Sequence, residues 1–201
     1  MISIYNIKPK FQKLLSPVLS LLHKQGITAN QITISSILLS AVIGILFWYS
    51  DKFNLFFLAL PIGLFIRMSL NALDGMMART YNQQTKRGEI LNELGDVISD
   101  LFIFFPLLKY EQVNIYLVVF FICLSIINEF AGILGKIVSG VRRYEGPMGK
   151  SDRAFVIGLY GLLSFLSIKM GEAAFYVFTF MIVLLLISTL TRILKSLKSN
   201  G

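Results

Sequence analysis

The sequence predicts an all-α polytopic membrane protein: six transmembrane helices preceded by an amphipathic helix at the interface. Three observations predict it. Of the 201 residues, 55% are hydrophobic, and mean hydropathy is +0.71. The stretches Ile32–Tyr49, Leu55–Ile66, Leu101–Leu108, Val113–Ile127 and Ala173–Leu190 contain no Asp, Glu, Lys or Arg. None of them alternates with a period of two, so they read as helices crossing a hydrocarbon core rather than as barrel strands.

In chain order, residues 8–25 come first. Phe11, Leu14, Leu15, Val18, Leu19 and Leu22 are interleaved with Lys10, Lys13 and Lys24, a pattern suited to a helix lying in the membrane interface. An ordinary linker is the alternative. The opening residues, MISIYNIKPKFQKLL, are interrupted by lysines and offer no A-x-A cleavage site, so a signal peptide is not expected. Six spans follow, at about 30–50, 54–79, 86–109, 112–141, 152–169 and 172–194, in one domain covering 1–201. With both termini on one side, fifteen of the nineteen Lys and Arg fall on that side, and only Lys52, Lys109 and Lys169 on the other. Positive charge stays inside, so the expected location is the cytoplasmic (inner) membrane with both termini in the cytoplasm. The formal net charge of +8 is read as this bias plus contact with anionic lipid, and no nucleic-acid partner is expected.

A single cysteine, Cys123, excludes an intrachain disulfide and a Cys-based zinc site, and is expected to be a small buried hydrophobe. A single histidine, His23, excludes His-based metal clusters. Chemistry must therefore come from oxygen donors and cations.

Charges at membrane depth are costly, roughly 2.5–3.5 kcal/mol each, so they point to function. Asn71, Asp74 and Ala78 share one face of the second span. Glu89, Asn92, Glu93, Asp96 and Asp100 form a stripe on the third. The short connection TYNQQTKR makes the two spans antiparallel neighbours, so the stripes can face each other. Converging carboxylate and amide oxygens suit Mg²⁺ or Mn²⁺. Gly75 and Ala78 leave room for a ligand, and Arg79 offers a planar fork to phosphate oxygens. On residues alone, three readings stay open: a metal-dependent phosphate-ester site, a proton or cation pathway, and structural charge pairing. Deeper in the spans, Arg67, Asp100 and Glu129 are expected to meet as a buried ion cluster, with Asn128 attached. Gly132, Gly135, Gly158 and Gly161 mark either close helix packing or a homodimer contact.

The segment from Asn71 to Asp96 resembles the signature of the CDP-alcohol phosphotransferase family, Asp-x2-Asp-Gly-x2-Ala-Arg-x8-Gly-x3-Asp-x3-Asp. Asp74, Gly75, Ala78, Arg79, Gly88 and Asp96 stand at matching positions, with Asn71 and Asn92 in place of the first and third aspartates. ITANQIT resembles the family's entry to its first span, with Ala29 for proline and Asn30 and Thr33 retained. The resemblance implies six helices, internal termini, frequent homodimers, and a divalent site on Asn71, Asp74, Asn92 and Asp96. Two asparagines remove two of the four formal charges, so one or two ions are expected, and Glu89, Glu93 or Asp100 are candidates to compensate. CDP-diacylglycerol would be held by Asn30, Thr33, Asp74, Gly75, Ala78, Arg79 and Gly88. Asp96 would serve as the base for an alcohol acceptor that displaces CMP. Arg142, Arg143, Lys150 and Arg153 form a cluster suited to an acceptor's phosphate, with glycerol 3-phosphate a candidate. The positive-inside signal explains the same cations nearly as well. The rivals are a family member that binds lipid nucleotide without turnover, and a small ion or solute transporter.

Overall fold

A computed structural model describes residues 8–168 and 170–198, apart from the side chains of Lys8 and Gln112. Lys169 and the side chain of Lys8, two of the charges counted above, lie outside the described residues. Those residues form eight α-helices and no strand: α1 (Lys8–Lys24), α2 (Ala29–Trp48), α3 (Ala59–Thr80), α4 (Lys86–Phe104), α5 (Leu107–Tyr110), α6 (Ile115–Ser139), α7 (Lys150–Phe165) and α8 (Glu172–Lys198).

Four stretches, Ala29–Trp48, Asn54–Thr80, Ile115–Ser139 and Glu172–Lys198, are long and apolar enough to cross a membrane. α4 and α7 stand where the third and fifth spans were predicted. α4 carries Lys86, Arg87, Glu89, Glu93, Asp96 and Asp100, and α7 has 16 residues. The predicted span 86–109 is interrupted. α4 ends at Phe104, and Pro106, which has no amide hydrogen to continue the ladder, precedes the short α5.

Local sequence explains where the helices start. Thr28 caps α2: its hydroxyl accepts from the Gln31 amide at 3.3 Å, while the Gln31 side chain accepts from the Thr28 amide at 2.8 Å. The next free donor, the Ala29 amide, is taken by Gln83 from the α3–α4 loop at 2.8 Å. Thr85 caps α4 by accepting from the Gly88 amide at 2.9 Å. The start of α2 is thus tied to the loop that joins the two polar stripes.

α1 packs on α3 through Leu15, Leu19 and Leu22, with the His23 ring stacked on Tyr81 at 3.5 Å. Leu14, Val18 and Leu21 face outward. α2 runs along both α3 and α4. It meets α4 at Gly44, where a Cβ would collide with the Phe102 carbonyl oxygen. α6 pairs with α8, and α7 with α3. α3 and α4 themselves make little backbone contact, so a cleft opens between them. The apolar core runs through Phe47, Phe104, Phe121 and Phe178, with Phe104 and Phe121 rings 4.9 Å apart.

One expectation changes here. Cys123 is exposed, because an apolar run does not reveal which side of α6 faces outward. The four glycines take the close-packing role expected of them. Gly132 and Gly135 lie against Arg143, and Gly158 and Gly161 against Pro61 and Leu60.

At the centre is a dry ion network. Arg153 is 0% exposed, and its Nη2 lies 2.9 Å from both Asp100 Oδ2 and Glu129 Oε1. Arg67 Nη1 reaches Asp100 Oδ1 at 2.8 Å, and Arg142 Nη2 reaches Glu129 Oε2 at 3.0 Å. Arg67 and Glu129 thus share a network through Asp100 and Arg153, and no direct ion pair joins them among the described residues. Asn128 does not attach through its side chain, which accepts from Ser188 at 3.3 Å; its backbone carbonyl accepts from Arg192 at 2.6 Å. The sequence groups Arg153 with the acceptor-binding cations because it stands beside Arg142, Arg143 and Lys150 at the start of the fifth predicted span. α7 instead begins at Lys150, with the Asp152 carboxylate accepting from the Gly149 amide at 3.0 Å, and this carries Arg153 into the bundle. Removing one member of such a network leaves a buried charge unmatched, which costs about 3–5 kcal/mol. Arg153→Met is therefore expected to lower the thermal unfolding midpoint of the detergent-purified protein steeply. Arg153→Lys, which keeps the charge but not the fork, is expected to fall in between.

Candidate active site in the α3–α4 cleft

The site is built by four helices, each bringing a defined side chain to the cleft. α2 contributes Thr33 and Ser36, one turn apart. Thr33 Oγ1 donates to Asp74 Oδ2 at 3.0 Å, and Ser36 Oγ donates to Asn71 Oδ1 at 2.6 Å. α3 contributes Asn71 and Asp74, and α4 contributes Asn92 and Asp96. The contacts across the cleft are reciprocal. Asn71 Nδ2 donates to Asp96 Oδ1 at 3.1 Å, and Asn92 Nδ2 donates to Asp74 Oδ2 at 3.2 Å. From the start of α7, Lys150 Nζ reaches Asp96 Oδ2, with Glu129 Oε2 at 3.6 Å. The Asp96 backbone carbonyl accepts from Arg67 at 3.3 Å.

Asp74 is 3% exposed, and its Oδ1 has no hydrogen-bond partner among the described residues. A buried carboxylate oxygen without a partner calls for an explanation, and an oxygen-seeking cation supplies one. Asn92 Oδ1 also accepts no hydrogen bond from described residues and is the natural companion donor. Among the described residues, no three His, Cys, Asp or Glu side chains converge as a metal site, because two of the four signature positions are amides. The oxygen set thus fits one divalent ion centred on Asp74.

The three acids considered as substitutes for the lost charges are already engaged. Glu89 pairs with Lys136, Glu93 with Arg142, and Asp100 with Arg67 and Arg153.

Two cavities meet at this point. One, of about 650 Å³, runs along α3 and α7 past Leu64, Phe65, Phe155 and Leu159 and ends at Asp74, Asp96 and Lys150. The other, of about 580 Å³, is lined by Asn30, Thr33, Ala78, Gln83, Thr85 and Gly88, and shares Asp74, Gly75, Arg79 and Asn92 with the first. Gly75 faces the Arg79 guanidinium, 3.1 Å from where its Cβ would lie, and Arg79 is exposed and forms no ion pair among the described residues. At Gly88, a Cβ would lie 2.7 Å from Asn30 Oδ1, so the missing side chain lets Asn30 lie against the first turn of α4. Asn30, Thr33, Gly75, Ala78, Arg79 and Gly88 thus line one polar cavity, although Asn30 and Thr33 are more than forty residues from Asp74 in sequence.

The expected acceptor cluster divides. Arg153 is buried in the ion network. Arg142 binds Glu93 and Glu129 and stacks 4.4 Å over the Tyr144 ring. Arg143 donates to Ser139 at 3.2 Å and lies 3.5 Å from Glu145. Only Lys150 reaches the signature aspartates. Sequence reasoning missed Ser36, although Thr33, Ser36 and Ser40 form a polar stripe at helical spacing on an otherwise apolar span. It also missed Gln83 and Tyr144, for which no sequence signal existed.

Comparison with known proteins fits this geometry. The model of the family described as CDP-alcohol phosphatidyltransferase matches residues 26–197. The inner membrane protein YnbA of Escherichia coli (strain K12) is 50% identical over 160 residues, 80% of this chain and 79% of YnbA. The Mycobacterium tuberculosis phosphatidylinositol phosphate synthase PgsA1 with CDP-DAG bound shares the fold at a TM-score of 0.75 and 20% identity, over 92% of this chain and 94% of that one. The same enzyme in complex with manganese and citrate aligns at a TM-score of 0.75 and 21% identity, over 92% and 90%. With a family match over most of its length and a relative half identical to it, this chain belongs to the CDP-alcohol phosphatidyltransferase family.

Proposed function

We propose that the protein is a phosphatidyltransferase of the inner membrane that moves a phosphatidyl group from CDP-diacylglycerol to an alcohol and releases CMP. The observation that carries this reading is the junction of an apolar cavity and a polar one at Asp74, Gly75, Arg79 and Asn92, with Asp96 on the apolar cavity's side. A CDP-linked lipid has the same division, with acyl chains on one side of its pyrophosphate and a nucleotide on the other. The acyl chains lie along α3 and α7, and the cytidine side lies among Asn30, Thr33, Ala78 and Gly88. Arg79, free of ion pairs among the described residues, takes the pyrophosphate with its fork.

Asp96 is the base. Its carboxylate takes the proton of the acceptor hydroxyl while that oxygen forms a bond to the β-phosphorus. The bond from the β-phosphorus to the bridging oxygen breaks, and CMP leaves with its electron pair. Asn71 and Lys150, one on each Asp96 oxygen, hold the carboxylate in place. Asp74 and Asn92 would hold Mg²⁺ or Mn²⁺, which when bound would supply Lewis-acid charge to the pyrophosphate. Positioning in a site shielded from water accounts for most of the acceleration.

The acceptor enters beside Lys150, the only one of the four expected cations that reaches the signature aspartates. An acceptor phosphate, such as that of glycerol 3-phosphate, would bind there by displacing an existing ion pair. The single domain crosses the membrane six times, with α4 and α7 completing the bundle and both termini in the cytoplasm. Reporters that fluoresce only in the cytoplasm are expected to be active when fused at either end, and a dark fusion at either end would reject this topology.

Purified protein given CDP-diacylglycerol, Mn²⁺ and a panel of alcohols is expected to release CMP faster with one acceptor than with the rest. Asp96→Asn is expected to slow release about 100- to 10,000-fold, the usual worth of a general base. Asp74→Asn is expected to abolish both release and metal dependence. Binding of the lipid nucleotide without CMP release on any acceptor would assign the protein a binding role instead.

A further inference from the structure

We propose that this site holds one divalent cation per chain where the family signature provides four carboxylates for two, and that protein groups take the place of the second. The ammonium of Lys150 and the amide hydrogens of Asn71 and Asn92 do that work. The inference rests on the reading of Asp74 as a cation ligand.

The two aspartates have different surroundings. Asp74 keeps one buried oxygen free of hydrogen bonds, and Asn92, whose amide nitrogen donates to the other Asp74 oxygen, accepts no hydrogen bond at its carbonyl from described residues. Asp96 has no free oxygen: Asn71 Nδ2 sits on one and Lys150 Nζ on the other. The Asn71 amide is locked in this sense. Its Oδ1 accepts from Ser36 at 2.6 Å while its nitrogen donates to Asp96, and the flipped amide would set oxygen against carboxylate. A nitrogen that donates to Asp96 cannot also bind a cation, so Asn71 offers no oxygen to a second ion beside Asp96.

Charge leads to the same count. Asp74 and Asp96 contribute two negative charges, and Lys150 and Arg79 two positive. The neighbouring acids bring none to spare, since Glu93 is matched by Arg142, and Asp100 and Glu129 by Arg67 and Arg153. One divalent ion leaves two net positive charges, which a pyrophosphate can meet. A second would leave four in a largely buried cleft, where unmatched charge is expensive.

The test counts metal rather than turnover. Full-length protein in detergent is stripped of metal, loaded with Mn²⁺, desalted and assayed for bound manganese per chain, with the paramagnetic resonance spectrum recorded alongside. The wild type is expected to hold one Mn²⁺ with the spectrum of an isolated ion. Asn71→Asp/Asn92→Asp is expected to hold two, with the spectrum of an exchange-coupled pair. Two ions in the wild type, or none, overturns the proposal, and this count decides even if the double variant does not fold. A folded double variant that still holds one ion overturns the role given to the asparagines. One bound ion in a protein that releases no CMP on any acceptor would reject the proposed reaction while leaving the site intact.

Discussion

The structure depends on a guanidinium that cannot reach water. Arg153 has no exposed surface, and its fork closes on Asp100 from α4 and Glu129 from α6. In a medium that cannot solvate charge, each of these groups is tolerable only in the presence of the others. The network therefore constrains the bundle more tightly than apolar contact does, because lipid tails satisfy a leucine as well as a neighbouring helix. Through Arg67, Arg142 and Arg192 the same network reaches α3, the 140–149 loop and α8. Nearly every segment that lines the cleft is held by it.

The cleft follows from that arrangement. α2 packs against both α3 and α4 and holds them at a distance that their own backbones do not close. Long polar side chains cross the gap: Arg67 to Asp100, and the reciprocal pairs Asn71 with Asp96 and Asn92 with Asp74. Four carboxylates in that space would repel one another. Replacing two of them by amides turns repulsion into hydrogen bonding and lets the cleft hold its shape through its own groups. The exception is the unpartnered Asp74 oxygen, which costs stability as it stands and marks the point at which the site is built to receive something.

By itself, the sequence determined that the chain is helical and membrane-embedded, because uncharged runs of that length have few other solutions. It also placed Asn71, Asp74, Asn92 and Asp96 on facing helices. The spacing from Asn71 to Asp96 places the polar residues on single helix faces, and helical periodicity is a local property of the chain. Helix starts were legible for the same reason, since Thr28 and Thr85 act on residues within one turn. The tertiary structure alone decided which charges meet. Arg153 reads as one of four cations gathered for an acceptor, and Cys123 as a core residue. Each turns on which way a helix faces or where its first turn begins, and an apolar run in a membrane is nearly indifferent to both. Lys150 on Asp96 spans fifty-four positions in the chain, and Arg142 on Glu93 spans forty-nine. No local pattern encodes such pairs. They form because buried charges must find partners, and the choice of partner is made by the packed bundle.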